Sequence, residues 1–444
     1  MTNTHDNLAA TGSPTPTRAP QTPQAPHARD LLKVTLASLF GTMLEFYDHF
    51  IYGTAAALIF PKVFFAGLPS DVALILSLII YGIAFVSRPL GAMIFGHYGD
   101  KLGRKTILVL VLMIMGLATF AIGLLPSYET AGMTGAVLLV FLRLLQGIAL
   151  GGEWGGAALM VSEYTKGLKI QGLLGSVVQI ASPLGFLLAS GTFALVTHFS
   201  TEATLLTLTW RFPFLLSAVL VVIGLYIRRS IDESPEFEAN KAQMEANHQP
   251  LALVFTRYRK NLALAIGSRI GSDVAFYVFA LFPLVYLPFI GIDKSVALNA
   301  TIIAALGQAA GIPLFGWLSD KWSTRGVLLL GAVLNALVTI VFFMLLNTHS
   351  EALIYLAAFM GLFALAALWA PLAAHFPKMF PVAVRFTGAG VGFQAAGILG
   401  GAIAPTICVA LMKSMGSPWG VAGYLIALLV LLFASVWMTR TEEG

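Results

Sequence analysis

The sequence predicts an all-α polytopic membrane protein, with twelve transmembrane helices in two pseudo-symmetric six-helix bundles. Three observations predict it. Of 444 residues, 58% are hydrophobic and 11% charged, and the mean hydropathy is +0.84. The apolar residues fall into twelve long runs. A motif that follows the second run returns after the eighth. Soluble domains carry about 25% charged residues, so a soluble globule of this length could not cover its surface. The 31 Phe and the high hydropathy are the opposite of a disordered composition. A spanning helix takes about 20 apolar residues and a short connection, and 31–440 has room for about twelve such units.

The elements follow in order. Residues 1–30 contain Pro14, Pro16, Pro20, Pro23 and Pro26 among Thr, Ala and Gln, and read as a disordered cytoplasmic tail. They hold no apolar stretch of the length a secretory signal needs. The runs lie near 33–59, 72–96, 105–126, 132–163, 171–197 and 208–228, which fill the N-terminal bundle, 31–229. The polar segment 230–260 is the cytoplasmic linker. Runs near 261–289, 295–317, 326–346, 352–379, 386–412 and 418–438 fill the C-terminal bundle, 261–440. Runs this long without period-2 alternation are helices, since only helices and closed barrels satisfy every backbone group in hydrocarbon. Pro183, Pro283, Pro313, Pro371 and Pro405 interrupt spans and are candidate hinges.

Charge sets the orientation. With both termini cytoplasmic, cytoplasmic segments hold 19 of the 26 Lys and Arg, including Lys101, Arg104, Lys105, Arg228, Arg229, Lys321 and Arg385. The outer loops hold three, Lys62, Lys294 and Lys413. Arg88, Arg143, Arg211 and Arg269 lie within or at the edges of spans. This bias follows the positive-inside rule and accounts for the formal charge of +5 without nucleic acid. The single cysteine, Cys408, excludes an intrachain disulfide.

The repeated motif reads Gly96-His97-Tyr98-Gly99-Asp100-Lys101-Leu102-Gly103-Arg104-Lys105, then Gly316-Trp317-Leu318-Ser319-Asp320-Lys321-Trp322-Ser323-Thr324-Arg325. The offset is 220 residues for both the leading Gly and the Asp. Gly lets two helices meet closely, and Asp and Arg suit ionic contacts that close the cytoplasmic face. Further motifs are Glu45-Phe46-Tyr47-Asp48, Arg88-Pro89-Leu90-Gly91, Arg143-Leu144-Leu145-Gln146-Gly147 and Gly151-Gly152-Glu153-Trp154-Gly155-Gly156. Glu233-Ser234-Pro235-Glu236-Phe237 and Arg385-Phe386-Thr387-Gly388 complete the set.

Through these motifs the chain, from about Leu31 to its last span, resembles the metabolite:proton symporters of the major facilitator superfamily. Its Gly-Gly-Glu-Trp-Gly-Gly run is similar to the branch that holds shikimate transporters. The resemblance implies the major facilitator fold, with a substrate site between the halves near the bilayer midplane. It also implies an inside gate of Gly96, Asp100, Arg104, Glu163, Glu233, Asp320 and Arg385. Ser323 and Thr324 replace Gly and Arg in the second motif copy, so the two gates are expected to be unequal.

Ionisable groups inside a membrane are costly, so each is a candidate functional residue. Glu45 and Asp48 lie three residues apart on one face of the first span. In related sugar–proton symporters a first-span Asp pairs with a fourth-span Arg, which implies a proton-coupling set of Asp48, Glu45 and Arg143. Arg143 equally suits a substrate carboxylate, because a guanidinium binds carboxylates in a bidentate manner. Gln146, one turn on, suits the same ligand. Arg88 is either a second anion site or a packing residue. Arg269 and Asp273, four residues apart in the seventh span, suit an intrahelical pair, although Arg269 is near enough to the surface to snorkel instead. Glu153 sits among glycines that suggest close helix packing. Tyr47, Tyr52, Trp154, Gln179, Ser182, Tyr277, Gln308, Trp369 and Gln394 complete the candidate cavity. His375 is a candidate titrating group or a satisfied structural histidine.

The expected activity is proton-coupled uptake of a small organic acid across the cytoplasmic (inner) membrane by alternating access. The expected partners are a small carboxylate and the lipid bilayer, with no nucleic acid, in a monomer. No cofactor is expected beyond protons as the coupling ion. An exporter or a carrier of a zwitterionic osmolyte is the alternative. Osmosensing relatives carry a long C-terminal coiled coil, and here four residues follow Arg440. A pump is disfavoured because no Gly-Lys dipeptide exists to form a phosphate loop. An enzyme is disfavoured because the eight histidines show no metal-ligand spacing.

Overall fold

The structure, a computed structural model, describes residues 28–165, 167–229, 232, 233, 238 and 250–439. Residues 1–27 of the expected tail, most of the linker including Ser234-Pro235-Glu236-Phe237, and Arg440 lie outside the described residues, and 28–30, expected in the tail, begin the first helix. No strand occurs among the described residues. Twelve helical segments carry the fold. In the first half they are α1 Ala28–Leu58, α2 Ser70–Leu102, α3 Arg104–Gly123, α4 Thr134–Tyr164, α5 Gln171–His198 and α6 Phe212–Arg229. In the second half they are α7 Arg259–Leu281, α8 Lys294–Lys321, α9 Thr324–Leu346, α10 Glu351–Lys378, α11 Val382–Met415 and α12 Trp419–Met438.

Among the described residues, eleven helices are long and apolar enough to cross a membrane. The remaining one, α1, is 31 residues long, and Glu45, Asp48 and His49 lower the apolarity of its middle. Leu117, Val222, Tyr226, Leu337 and Val430 point out of the bundle, the arrangement that hydrocarbon solvent favours.

Prolines break the helices where their missing N–H and ring clash disrupt the turn before them. α5 breaks at Ile180, just before Pro183, and α10 is interrupted at Ala370-Pro371. α7 loosens to a π-turn at Tyr277–Leu281 before Pro283, and α11 does so at Ile398–Ala402 before Pro405. Pro313 sits inside α8 without a break.

Lipid offers no hydrophobic drive between helices, so small residues decide which helices meet. A Cβ on Gly151 of α4 would strike the backbone of Arg88 and Ala92 in α2, and one on Gly91 of α2 would strike the Ile148 carbonyl. α2 therefore packs tightly on α4, and α8 on α10 repeats that pairing in the other half. Two contacts cross between the halves in the same pseudo-symmetric way, α2 against α11 and α8 against α5.

Candidate functional site

These two pseudo-symmetric contacts lie at the end of the bundle that carries Lys101, Arg104, Lys321 and Arg385, the basic face. The first rests on Asp100, which ends α2 and is 1% exposed. Its carboxylate accepts from the Phe386 N–H (3.1 Å), the Thr387 N–H (3.0 Å) and the Thr387 hydroxyl (2.7 Å) at the start of α11. Those N–H groups have no intrahelical partner, and a carboxylate there also meets the positive end of the helix dipole. Asp320, which ends α8, repeats the device on α5. It accepts from the Gly172 N–H (2.5 Å) and the Leu173 N–H (2.8 Å). Glycine permits each approach. A Cβ on Gly96 would lie 2.8 Å from the Thr387 Cα, and one on Gly316 would lie 2.5 Å from the Ser176 Cβ.

The two contacts between the halves are unequal. Beside Asp100, the buried Arg104 meets Glu163 (3.2 Å) and Asp100 (3.8 Å), and Arg385 meets Glu163 at 3.8 Å. Glu233 accepts from the Arg104 N–H (3.0 Å) and the Lys105 N–H (3.1 Å), holding the linker against the start of α3. The second motif's Arg325 instead donates to the Trp437 carbonyl at the exposed end of α12. The structure thus brings Gly96, Asp100, Arg104, Glu163, Glu233 and Arg385 of the expected gate together in one cluster and sets Asp320 in the other contact.

Above this closed face lies a cavity of about 340 Å³ between the halves. Its size falls in the range typical of small-molecule sites. Its floor crosses the halves. Trp154 of α4 stacks on Phe393 of α11 with ring centres 3.3 Å apart. The Trp154 indole N–H donates to Gln179 of α5 (3.1 Å), and Gln179 donates to the Trp369 carbonyl of α10 (3.0 Å). Gln394 donates to the Leu150 carbonyl at 3.3 Å. The walls bring charge from both halves, Glu45 of α1 and Arg88 of α2 opposite Arg269 and Asp273 of α7.

Arg269 does not snorkel. It is buried, donates to Asp273 (2.9 Å) and to the Phe393 carbonyl, and lies over the Phe393 ring. Arg88 makes no ion pair among the described residues, and Glu45 on the same cavity is the acid that acts on it most. Arg88 lies 4.3 Å over the Phe85 ring, and its one side-chain polar contact is His49 at 3.4 Å. Buried atoms on this cavity without a hydrogen-bond partner are Glu45 Oε2, Arg88 Nε, Arg269 Nε, Asp273 Oδ2 and Trp369 Nε1. Buried polar groups are normally satisfied, so this concentration marks a place where a polar ligand would fit.

Several expected residues stand elsewhere. Of the candidate substrate set, Arg88, Trp154, Arg269, Asp273, Tyr277, Trp369 and Gln394 line the cavity, as do Glu45 and Ser182. Arg143, Gln146, Tyr47, Tyr52, Gln179 and Gln308 do not. The reason is helical phase, since each residue advances about 100°. Tyr47, two residues past Glu45, faces α6 and donates to the Pro213 carbonyl at 2.8 Å.

The expected Asp48–Arg143 ion pair is corrected to a relay. Asp48 accepts from Thr119 (2.7 Å), Thr119 from Gln146 (2.6 Å), and Gln146 from Arg143 (3.1 Å). Arg143 lies over the rings of Tyr52 (4.0 Å) and Tyr81 (5.2 Å), behind the cavity wall. One further reading changes. Glu153 forms an ion pair with Arg228, which is buried at 4% exposure although its sequence position suggested a loop cation.

Sequence reasoning missed His49, Tyr81, Phe46, Phe85 and Phe393 as cavity residues. A signal existed for His49, which is four residues from Glu45 and so on the same helical face. A search for metal-ligand spacing passes over it.

The "Sugar (and other) transporter" family profile matches residues 33–254, and the "Major Facilitator Superfamily" profile matches residues 264–444. The inner membrane metabolite transport protein YhjE of Escherichia coli (strain K12) is 36% identical, over 92% of this chain and 94% of that protein. The shikimate transporter of the same strain is 34% identical, over 89% and 91%. The proline/betaine transporter of that strain is 32% identical, over 93% and 84%. Among solved structures, the proton:xylose symporter XylE bound to 6-bromo-6-deoxy-D-glucose superposes with a TM-score of 0.76. It is 17% identical and covers 92% of this chain and 95% of that one, a likeness of fold.

Proposed function

The chain belongs to the major facilitator superfamily, and from that premise we propose that it is a proton-coupled symporter that takes up a small organic carboxylate. It is a multi-pass membrane transporter of metabolites and not an enzyme. In our reading it sits in the cytoplasmic membrane with its basic face and both termini inside, as the distribution of Lys and Arg favours. The halves 31–229 and 261–440 rock about the cavity between them.

One observation carries the reading: Arg88 faces a cavity of about 340 Å³ and makes no ion pair among the described residues, with Glu45 on the same wall acting on it only through space. A guanidinium in that setting binds a carboxylate in a bidentate manner. Arg143, the first expectation for this task, stands behind the wall, so Arg88 takes the substrate and Arg143 supports α1 through the relay. Phe46, Phe85, Trp369 and Phe393 surround the space with apolar faces that suit the body of a ring acid.

Proton coupling has a physical motive. An anion entering against an inside-negative potential loses about 2.3 kcal/mol per 100 mV, and a proton carried with it removes that cost. Glu45 lines the cavity with one carboxylate oxygen unpaired, whereas Asp48 sits one turn away on Thr119. Glu45 is therefore the proton carrier that substrate meets, and Asp48 is the reserve site on the relay.

The alternative cargo, a zwitterionic osmolyte, draws on the same cavity. Its cationic end would rest on the aromatic faces and Glu45, and its carboxylate on Arg88. To separate the two, purified protein in liposomes is given shikimate, keto acids, benzoate and glycine betaine, with internal pH followed by a trapped dye. Carboxylate-driven acidification is expected. Arg88→Gln should weaken carboxylate binding by about 2–5 kcal/mol, since one partner of a buried ionic contact is removed. Unchanged affinity in that variant sinks the anchor, and betaine uptake without proton uptake sinks the symport reading.

A further inference from the structure

We infer that His49 is a second proton-accepting group of the cavity, its Nδ1 occupied by Arg88 and opened to protonation when a carboxylate takes Arg88 away. The inference rests on the carboxylate reading above for its trigger, and on hydrogen-bond chemistry for the rest.

His49 follows Asp48 on α1 and lines the cavity beside Arg88. Its Nε2 lies 2.5 Å from the Tyr81 hydroxyl, and its Nδ1 lies 3.4 Å from Arg88 Nη2. A guanidinium has donors and no acceptor. The Arg88 contact therefore needs a bare Nδ1, and the neutral ring carries its one proton on Nε2, donated to Tyr81. A proton on Nδ1 would set N–H against N–H and put a second positive charge beside the guanidinium. The charged and titratable groups facing His49 are few. α2 supplies Tyr81 and Arg88, α4 supplies Arg143 on the far side of Tyr81, and α1 supplies Glu45 one turn away. Arg269 and Asp273 face it across the cavity from α7 and are occupied with each other.

A carboxylate drawn onto Arg88 changes each term. The guanidinium turns its donors to the ligand, Nδ1 loses its donor, and a negative charge arrives. One proton from the open side then binds Nδ1, and the imidazolium donates it to the ligand carboxylate. When the carboxylate leaves on the other side, Arg88 returns to Nδ1 and the proton departs. The proton is bound and released with the substrate, and no bond other than N–H is made or broken. Phe50 and Phe85 hold the ring edge-on with centroids 5.4 Å away, so it stays in place throughout.

The test uses full-length protein with isotope-labelled histidine in lipid nanodiscs, with ring nitrogens followed by solid-state NMR. The His49 signals are those missing from His49→Phe, which keeps an aromatic ring in the packing. Without ligand, the wild-type ring should be the neutral Nε2–H form near neutral pH. Arg88→Gln, with no ligand, should let His49 take its proton at an about tenfold or more lower proton concentration, because a like charge within 4–6 Å is gone. Arg88→Lys keeps the charge and should titrate close to wild type, which controls for misfolding. Added shikimate should convert the wild-type ring to imidazolium, and the protons taken up per ligand should fall by about one in His49→Phe.

An Arg88→Gln curve that overlies wild type overturns the inference. So does shikimate binding, read by tryptophan fluorescence, that leaves the ring neutral. If no carboxylate of the panel binds, the carboxylate reading fails instead, and the ligand-free Arg88→Gln titration still decides the Arg88–His49 linkage.

Discussion

Removing the charge of Asp100 should open the basic face more than the same change at Asp320. Asp100 accepts three hydrogen bonds from the start of α11, two from backbone N–H groups and one from a hydroxyl. Asp320 accepts two from the start of α5. A hydrogen bond to a charged group contributes about 1.5–3 kcal/mol, and a neutral one about 0.5–1.5, so Asp→Asn loses about 1 kcal/mol per bond. Asp100→Asn therefore weakens the closed state by about 3 kcal/mol and Asp320→Asn by about 2. These values correspond to about 150-fold and about 30-fold shifts toward the open face. The assay is pulsed electron–electron resonance between spin labels at Leu102 and Trp322, two exposed positions at the ends of α2 and α8, in a Cys408→Ala background. The long-distance population should rise in the order wild type, Asp320→Asn, Asp100→Asn. The reverse order, or an unchanged distribution in Asp100→Asn, would refute the reasoning, because capping across the halves would then not hold the face closed.

Other outcomes follow from the packing. Arg228→Met leaves Glu153 as an uncompensated charge at 0% exposure, and should lower stability by about 3–5 kcal/mol in thermal unfolding. Arg228→Met with Glu153→Gln should recover most of that loss, and a double variant no more stable than the single one would contradict the pairing. Gly151→Ala should cost about 1–3 kcal/mol because its Cβ meets the α2 backbone. Gly191→Ala, where a Cβ meets nothing within 4 Å, should stay within about 0.5 kcal/mol in the same measurement.

How far the sequence could be read depended on what each residue's role requires. Spans were legible because hydrocarbon admits only helices and closed barrels, and runs this long without alternation fit only the first. The gates were legible because one short segment carries both the close-approach glycine and the capping carboxylate, and because it occurs twice. Gly96 and Gly316, with Asp100 and Asp320, keep matched contacts at both copies. Site residues were legible in part. Glu45, Arg88, Arg269 and Asp273 stood out as charges in spans and meet at one cavity. Their roles were not legible. Arg143 and Asp48 carry the stronger motif yet stand behind the wall, joined through Thr119, which had no signal in the sequence.

By itself the sequence determined that this chain spans a membrane, that it does so in two related halves, and which few charges the bilayer must tolerate. These are properties of composition, length and repetition, and they need no knowledge of neighbours. Only the tertiary structure decided which charges pair and which stay free. Arg269 is held by Asp273 and Arg228 by Glu153, while Arg88 is left facing the cavity with His49. The physical reason is phase and contact. A turn of 100° per residue separates a cavity face from a packing face, and partners on different helices, such as Arg228 and Glu153, can be chosen only when the helices meet.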